Sequence, residues 1–152
     1  MNKDVARTYG YDTEVIGDIK YINAAAVSGK TKLAGSADIN NVITAGSGAS
    51  SMWGGGASDD TLVAGAGTDT FFYMKGDGND SIKGASSNDV VRLEGGLTLA
   101  DIASIDTSKA SSLAIDFTDG GSLTLNTNNG TKFKIDGATY SYDRTAGEWQ
   151  KS

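Results

Sequence analysis

The stretch from Gly55 to Arg92 reads GGASDDTLV, AGAGTDTFF, YM, KGDGNDSIK and GASSNDVVR, which is four nine-residue segments built on one pattern with two residues inserted. Each segment starts with a turn rich in small residues, carries Asp at its sixth position and places an apolar residue at its eighth. The sixth positions are Asp60, Asp69, Asp80 and Asp89. This spacing approximates the nonapeptide G-G-x-G-x-D-x-U-x, in which U is a large apolar residue.

The repeated segments resemble the RTX, or haemolysin-type calcium-binding, repeat. Residues 45–92, about a third of the chain, carry the resemblance. It implies an all-β fold, a parallel β-roll or β-solenoid that binds Ca²⁺ in its turns. Members of this family are typically secreted by type I export, stay unfolded in the low-calcium cytoplasm and fold outside the cell. Their repeat modules lie at the C-terminal ends of toxins, proteases, lipases, adhesins and surface-layer proteins.

Stacking of the repeats explains why such a pattern binds metal. Two nonapeptides make one coil, so Asp60 stacks with Asp80 and Asp69 stacks with Asp89. Stacked strands lie about 4.8 Å apart, and two carboxylates at that distance repel by about 3.5 kcal/mol at an effective dielectric of about 20. A calcium ion between them reverses the sign, with turn carbonyls as the remaining ligands. The predicted metal ligands are Asp60, Asp69, Asp80, Asp89, Gly56, Gly65, Gly67, Gly76 and Gly78.

Two earlier segments, 35–43 and 45–53, follow the same frame without the carboxylate. Their sixth positions are Asn40 and Ser50, which we expect to stack with Asp60 and Asp69 in weak or empty sites. Alternation along each short strand points the eighth residue inward. The predicted core positions are Val42, Met52, Leu62, Phe71, Ile82 and Val91.

Composition excludes several classes of function. The chain has 19 acidic and 13 basic residues, a formal charge of −6, and neither Cys nor His. Zinc fingers, Cys proteases and Ser-His-Asp hydrolases are therefore excluded within these 152 residues, and any metal must use oxygen ligands. Acidity argues against nucleic-acid binding, and no apolar run of about 18 residues predicts a membrane span. We expect no enzymatic activity.

The predicted organisation has three parts: a loosely ordered segment 1–14, a β-roll 15–96 and an antiparallel β cap 97–152. A short helix is expected within 97–105. Four strands follow, at 112–117, 122–126, 131–135 and 138–142. Hairpin turns are predicted between them, because Gly and Asn favour tight turns, at Asp119-Gly-Gly121, Asn128-Asn-Gly130 and Asp136-Gly137.

The leading functional prediction is a calcium-dependent folding and export module at the C-terminal end of a larger secreted or cell-surface protein, such as an adhesin or surface-layer protein. We expect the module to be monomeric, with cell-surface glycans or other surface proteins as partners. The alternative is a glycan-binding module attached to an extracellular enzyme. Candidate sugar-stacking residues are Trp53, Tyr140, Tyr142 and Trp149.

Overall fold

A computed structural model describes residues 8–9, 12–13, 19–126 and 130–152. Apart from one 3-10 turn, Leu99–Asp101, its regular elements are strands. The strands up to the end of the repeats are β1 Thr8–Tyr9, β2 Asp12–Thr13, β3 Tyr21–Asn23, β4 Thr31–Ala34, β5 Val42–Thr44, β6 Ser50–Trp53, β7 Thr61–Val63, β8 Thr70–Met74, β9 Asn79–Lys83 and β10 Val90–Glu94. The later strands are β11 Ile102–Asp106, β12 Leu113–Phe117, β13 Ser122–Asn126, β14 Lys132–Ile135, β15 Ala138–Asp143 and β16 Glu148–Lys151.

Two seven-stranded sheets form the body of the protein. The first has the order β11-β12-β13-β9-β7-β5-β3 and the second β16-β15-β14-β10-β8-β6-β4. Successive strands of the chain from β3 to β10 alternate between the sheets, and neighbours within each sheet are parallel. The outermost C-terminal strands of both sheets pair antiparallel. The predicted all-β roll with an antiparallel C-terminal end is therefore confirmed.

Two columns of apolar side chains, one from each sheet, fill the space between the sheets of the repeats. The residues Met52, Leu62, Phe71, Ile82 and Val91 are at most 1% exposed, as predicted. Val42 was the wrong choice for the first coil, because the buried residue is Ile43, which aligns with Leu62. The turn before it, 35–41, is one residue longer than 64–69, so the nonapeptide frame shifts by one position.

The chain after the repeats continues the roll before it caps it. Strand β13 pairs parallel with β9, and β14 pairs parallel with β10. Leu125 thereby aligns with Ile82, and Phe133 aligns with Val91, so both extend the core. The predicted hairpin at Asn128-Asn-Gly130 is wrong, because β13 and β14 belong to different sheets; residues 127–129 lie outside the described part of the chain.

The other two predicted hairpins are confirmed. Strands β12 and β13 pair antiparallel around Asp119-Gly-Gly121, and β14 and β15 pair antiparallel around Asp136-Gly137. The helix expected within 97–105 is reduced to one 3-10 turn, which Thr98 caps before β11 begins. The segment 1–14 lies mostly outside the described residues, and the boundaries 15–96 and 97–152 stay a prediction.

Arg144 closes the open end of the roll. Its guanidinium donates hydrogen bonds to the carbonyl oxygens of Thr107 (3.1 Å), Lys109 (2.7 Å) and Ser112 (2.7 Å). The turn that follows β15 in the second sheet is thus tied to the loop that precedes β12 in the first. No helix of the described residues has the length and hydropathy needed to cross a lipid bilayer.

Candidate metal centre

The turns of the roll form two edges, and each edge stacks one residue per coil, which is polar in every coil of the repeats. The Asp60 edge contains turns 35–41, 54–60 and 75–78; the Asp69 edge contains turns 24–30, 45–49, 64–69 and 84–89. Strand register aligns Asn41, Asp60, Asp80 and Leu123 on the first edge. It aligns Thr31, Ser50, Asp69, Asp89 and Thr131 on the second. The two predicted aspartate pairs are therefore adjacent.

Asn41, not Asn40, stacks with Asp60, and this corrects the sequence prediction. The additional residue in turn 35–41 moves the sixth position by one. The Asn41 side chain is buried and accepts a hydrogen bond from the backbone N–H of Ser36 at 2.7 Å. Asn40 lies instead at the exposed surface. The predicted alignment of Ser50 with Asp69 is confirmed.

All four aspartates have a structural role that the sequence motif did not reveal. Each is at most 3% exposed, and its Oδ1 accepts a hydrogen bond from the backbone of the preceding coil. On the Asp60 edge, Asn41 N donates to Asp60 (2.6 Å) and Asp60 N donates to Asp80 (2.9 Å). On the Asp69 edge, Ser50 N donates to Asp69 (2.9 Å) and Asp69 N donates to Asp89 (2.7 Å). The carboxylates therefore join consecutive coils even without metal.

The second carboxylate oxygens differ between the edges. Oδ2 of Asp69 accepts a hydrogen bond from Gly65 N at 2.8 Å, and Oδ2 of Asp89 accepts from Ser86 N at 2.6 Å and Ser86 Oγ at 3.0 Å. Oδ2 of Asp60 and Oδ2 of Asp80 are buried and have no hydrogen-bond partner within the described residues. An unpaired buried oxygen is costly unless another group binds it.

Burial makes the Asp60 edge electrostatically unfavourable without a cation. Desolvation raises the pKa of Asp60 to about 6 and that of Asp80 to about 8, against the hydrogen bonds that lower them. The neighbouring charges of Asp59 and Asp77 raise both values further. Across the described residues, the ion pairs are Lys75 with Asp101 and Arg92 with Glu94, so no basic side chain neutralises this edge.

The chemistry of the donors fits Ca²⁺, which prefers six to eight oxygen ligands. The described residues include no group of three or more metal-binding side chains, so backbone carbonyls would have to complete the shell. Such carbonyls are present: a β-carbon on Gly78 would lie 2.7 Å from the carbonyl oxygens of Ala57 and Ser58. Those carbonyls therefore face the turn that precedes Asp80.

The predicted glycine ligands are divided between the edges. Gly56, Gly76 and Gly78 lie on the Asp60 edge, where Gly76 donates its N–H to Asp119 of the capping hairpin at 2.9 Å. Gly56 packs closely on Ala37 of the preceding turn. Gly65 and Gly67 lie on the Asp69 edge, directly over the carbonyl oxygens of Gly46 and Gly48. These two glycines therefore face the coil that carries Ser50, not the coil that carries Asp89.

Asp77 and Trp53 form a further contact on the Asp60 edge. Oδ2 of Asp77 accepts hydrogen bonds from Trp53 Nε1 at 2.8 Å and Met74 N at 2.7 Å, and the side chain is buried. Burial raises its pKa above the usual range. Asp77 is therefore a buried, hydrogen-bonded carboxylate, and it joins the Trp53 indole to the turn between Met74 and Asn79.

The C-terminal aromatic residues pack on the core. Trp149 contacts Phe133 edge-on, with ring centroids 4.9 Å apart, and contacts Tyr142 at 5.2 Å. Phe133 itself is 1% exposed. Trp149 and Tyr142 therefore cover the last coil of the roll, as expected for a cap.

Comparison with known proteins identifies the repeats. Residues 37–71 and 76–96 match the family model described as the RTX calcium-binding nonapeptide repeat, in four copies. No curated protein shows significant similarity to the chain. The matched residues contain both aspartate pairs and most of both edges, and Ca²⁺ is the metal of this repeat class.

Proposed function

We propose that this chain, which carries RTX calcium-binding repeats folded as a β-roll, is a module whose folding depends on calcium. The observation that carries this proposal is the pair of buried, unpaired oxygens on Asp60 and Asp80. Asp60 and Asp80 would hold a calcium ion, and its positive charge would offset the repulsion between their carboxylates. Ligands formed only in the folded state make metal binding part of the folding free energy.

Residues around Asp60 and Asp80 have distinct roles in forming this site. The Oδ1 atoms of Asp60 and Asp80 hold the preceding coil, which leaves both Oδ2 atoms free for a metal. Gly78 allows its turn to approach the Ala57 and Ser58 carbonyls closely. Asp119 of the cap holds Gly76, so the capping hairpin positions the same turn.

A calcium titration followed by calorimetry and circular dichroism tests this function. We expect heat of binding, a gain of β-structure or a higher melting temperature in excess Ca²⁺, and reversal by a chelator. Mg²⁺ is the matched control, because it demands a smaller octahedral shell and retains its waters. Absence of calcium heat, with a melting temperature unaffected by the chelator, would refute the proposal.

We further propose a structural role outside the cell, as the C-terminal module of a larger secreted or surface protein of the adhesin or surface-layer kind. The charge of −6 and the calcium-binding repeats support this setting, because a module that is loose at low calcium suits export before folding. Secretion of a reporter fused to the chain through a type I exporter tests it. Retention of the fusion in cells with an active exporter would contradict it.

The glycan-binding alternative draws less support from the side chains. Trp53 is attached to Asp77 through its indole nitrogen, and Trp149 packs on Phe133 and Tyr142. Trp149 and Tyr142 use their rings to pack within the cap, and Trp53 uses its nitrogen to bind Asp77, so all three contribute to the folded structure without a sugar. A glycan array on the calcium-loaded module discriminates between the two functions.

A further inference from the structure

We infer that the two edges of the roll are chemically different. Calcium is held on the Asp60 edge alone, whereas Asp69 and Asp89 bind no metal and join consecutive coils by hydrogen bonds. The inference rests on the proposed calcium function and assigns it to one side of the molecule. Both pairs occupy the same position of the repeat, so the motif by itself treats them alike.

Hydrogen bonding separates the two pairs. Asp69 and Asp89 use both carboxylate oxygens, one towards the preceding coil and one towards their own turn. Asp60 and Asp80 use only Oδ1, and each keeps a buried Oδ2 without a partner. A metal on the Asp60 edge satisfies two orphaned atoms, whereas a metal on the Asp69 edge must displace existing hydrogen bonds.

The turns that precede Asp80 and Asp89 also favour a metal on the Asp60 edge. The turn before Asp80 places Gly78 against two carbonyl oxygens of the preceding turn. The turn before Asp89 contains Ala85 and Ser87 where the motif has glycine, and Ser86, at a variable position of the motif, donates two hydrogen bonds to the second oxygen of Asp89. Ser86 thus gives the second oxygen of Asp89 its binding partners, whereas on the other edge a cation would be the partner of the second oxygen of Asp80.

Charge separates the edges as well. Four carboxylates, those of Asp59, Asp60, Asp77 and Asp80, lie on the Asp60 edge, and neither ion pair of the described residues involves them. The first oxygen of Asp59 is held by the backbone and side-chain nitrogens of Asn79, and Asp77 is held by Trp53 and Met74. Among the buried carboxylate oxygens of the described residues, those without a hydrogen-bond partner are therefore Oδ2 of Asp60 and Oδ2 of Asp80. The other buried side-chain atoms without a partner, Ser36 Oγ, Arg92 Nε and Thr131 Oγ1, carry no negative charge.

Matched substitutions in the full chain test the assignment. Asp80→Asn and Asp89→Asn change the same position of the repeat by the same atoms and keep the Oδ1 acceptor. Calcium calorimetry on Asp80→Asn should show affinity reduced at least tenfold. Asp89→Asn should bind calcium with the wild-type stoichiometry and within about threefold of the wild-type affinity. Its melting temperature should fall equally with calcium and with chelator, because it loses a hydrogen bond rather than a ligand.

A second measurement locates the metal without changing any of the four aspartates. Terbium replaces calcium in oxygen sites and emits when a nearby indole is excited. Trp53 contacts Asp77 on the Asp60 edge, so terbium emission should persist in Trp149→Phe and fall at least fivefold in Trp53→Phe.

Each result discriminates. Equal loss of calcium affinity in Asp80→Asn and Asp89→Asn, or terbium emission that does not depend on Trp53, would overturn the one-edge assignment while the calcium function stands. No calcium or terbium uptake by the wild-type chain would refute the proposed function, and the assignment with it.

Discussion

Asp80→Asn should have opposite effects on stability with and without calcium. In the chelated protein the substitution removes a buried charge that faces the Asp60 carboxylate, so the variant should be the more stable protein. In excess calcium it removes a ligand, so the variant should lose most of the calcium-induced stabilisation. If Asp80 contributed only to packing, its substitution would change the stability equally with and without calcium.

The magnitude follows from the geometry. Asp60 lies directly before β7, and Asp80 lies in the neighbouring parallel strand β9. Such strands lie about 4.8 Å apart, so full ionisation of both carboxylates costs about 3.5 kcal/mol at an effective dielectric of about 20. Proton uptake limits this cost, since burial raises the pKa of Asp80 to about 8. The Asn amide nitrogen would be buried without a partner, and this destabilises the variant by about 1–3 kcal/mol. The net gain is about 0.5–2.5 kcal/mol, or about 1–10 °C in melting temperature for a chain of this size.

Thermal unfolding followed by circular dichroism, once in excess EDTA and once in excess calcium, measures both predicted stability changes. Where the wild type lacks a thermal transition in EDTA, the β-signal at low temperature replaces the melting temperature, and the variant should show more of it. Asp89→Asn is the control: it removes a charge from a carboxylate whose two oxygens are hydrogen-bonded, so it should be destabilised in both conditions. A lower stability of Asp80→Asn in EDTA would refute the reasoning.

Three further results are expected. Phe71→Ala should cost about 3–5 kcal/mol in urea unfolding with excess calcium, because the ring is fully buried; a loss below about 1 kcal/mol would contradict the inward register. Deletion of residues 98–152 should abolish folding or cause aggregation even in excess calcium, because β13 and β14 cover Ile82 and Val91, and a soluble, folded monomer by light scattering would contradict this. In EDTA, stability should fall as pH rises from about 4 to about 8, since the folded pKa values of Asp60 (about 6) and Asp80 (about 8) exceed the unfolded value of 3.8 and the folded state binds more protons there; melting curves that are flat or rise over this range would contradict it.

The local sequence pattern was sufficient to predict how the coils of the repeats stack. Sixth-position Asp and eighth-position apolar residues recur at nine to eleven residues, and a coil of two repeats then fixes which side chains stack. The pairing of Asp60 with Asp80, and of Asp69 with Asp89, and the inward direction of Leu62 and Phe71 follow from this arithmetic alone. The same arithmetic failed at Asn41, because a turn can absorb one residue without changing the strands it joins.

Only the tertiary structure distinguished between groups that the motif treats alike. Asp80 and Asp89 share a repeat position, yet the second oxygen of Asp89 is satisfied by Ser86 and that of Asp80 is not. Likewise, the turn signal at residues 128–130 indicates a hairpin, whereas β13 and β14 lie in opposite sheets to cover Ile82 and Val91. The physical reason is the same in both cases. Hydrogen-bond satisfaction and burial depend on atoms brought together from distant coils, and local sequence constrains only the backbone around each turn.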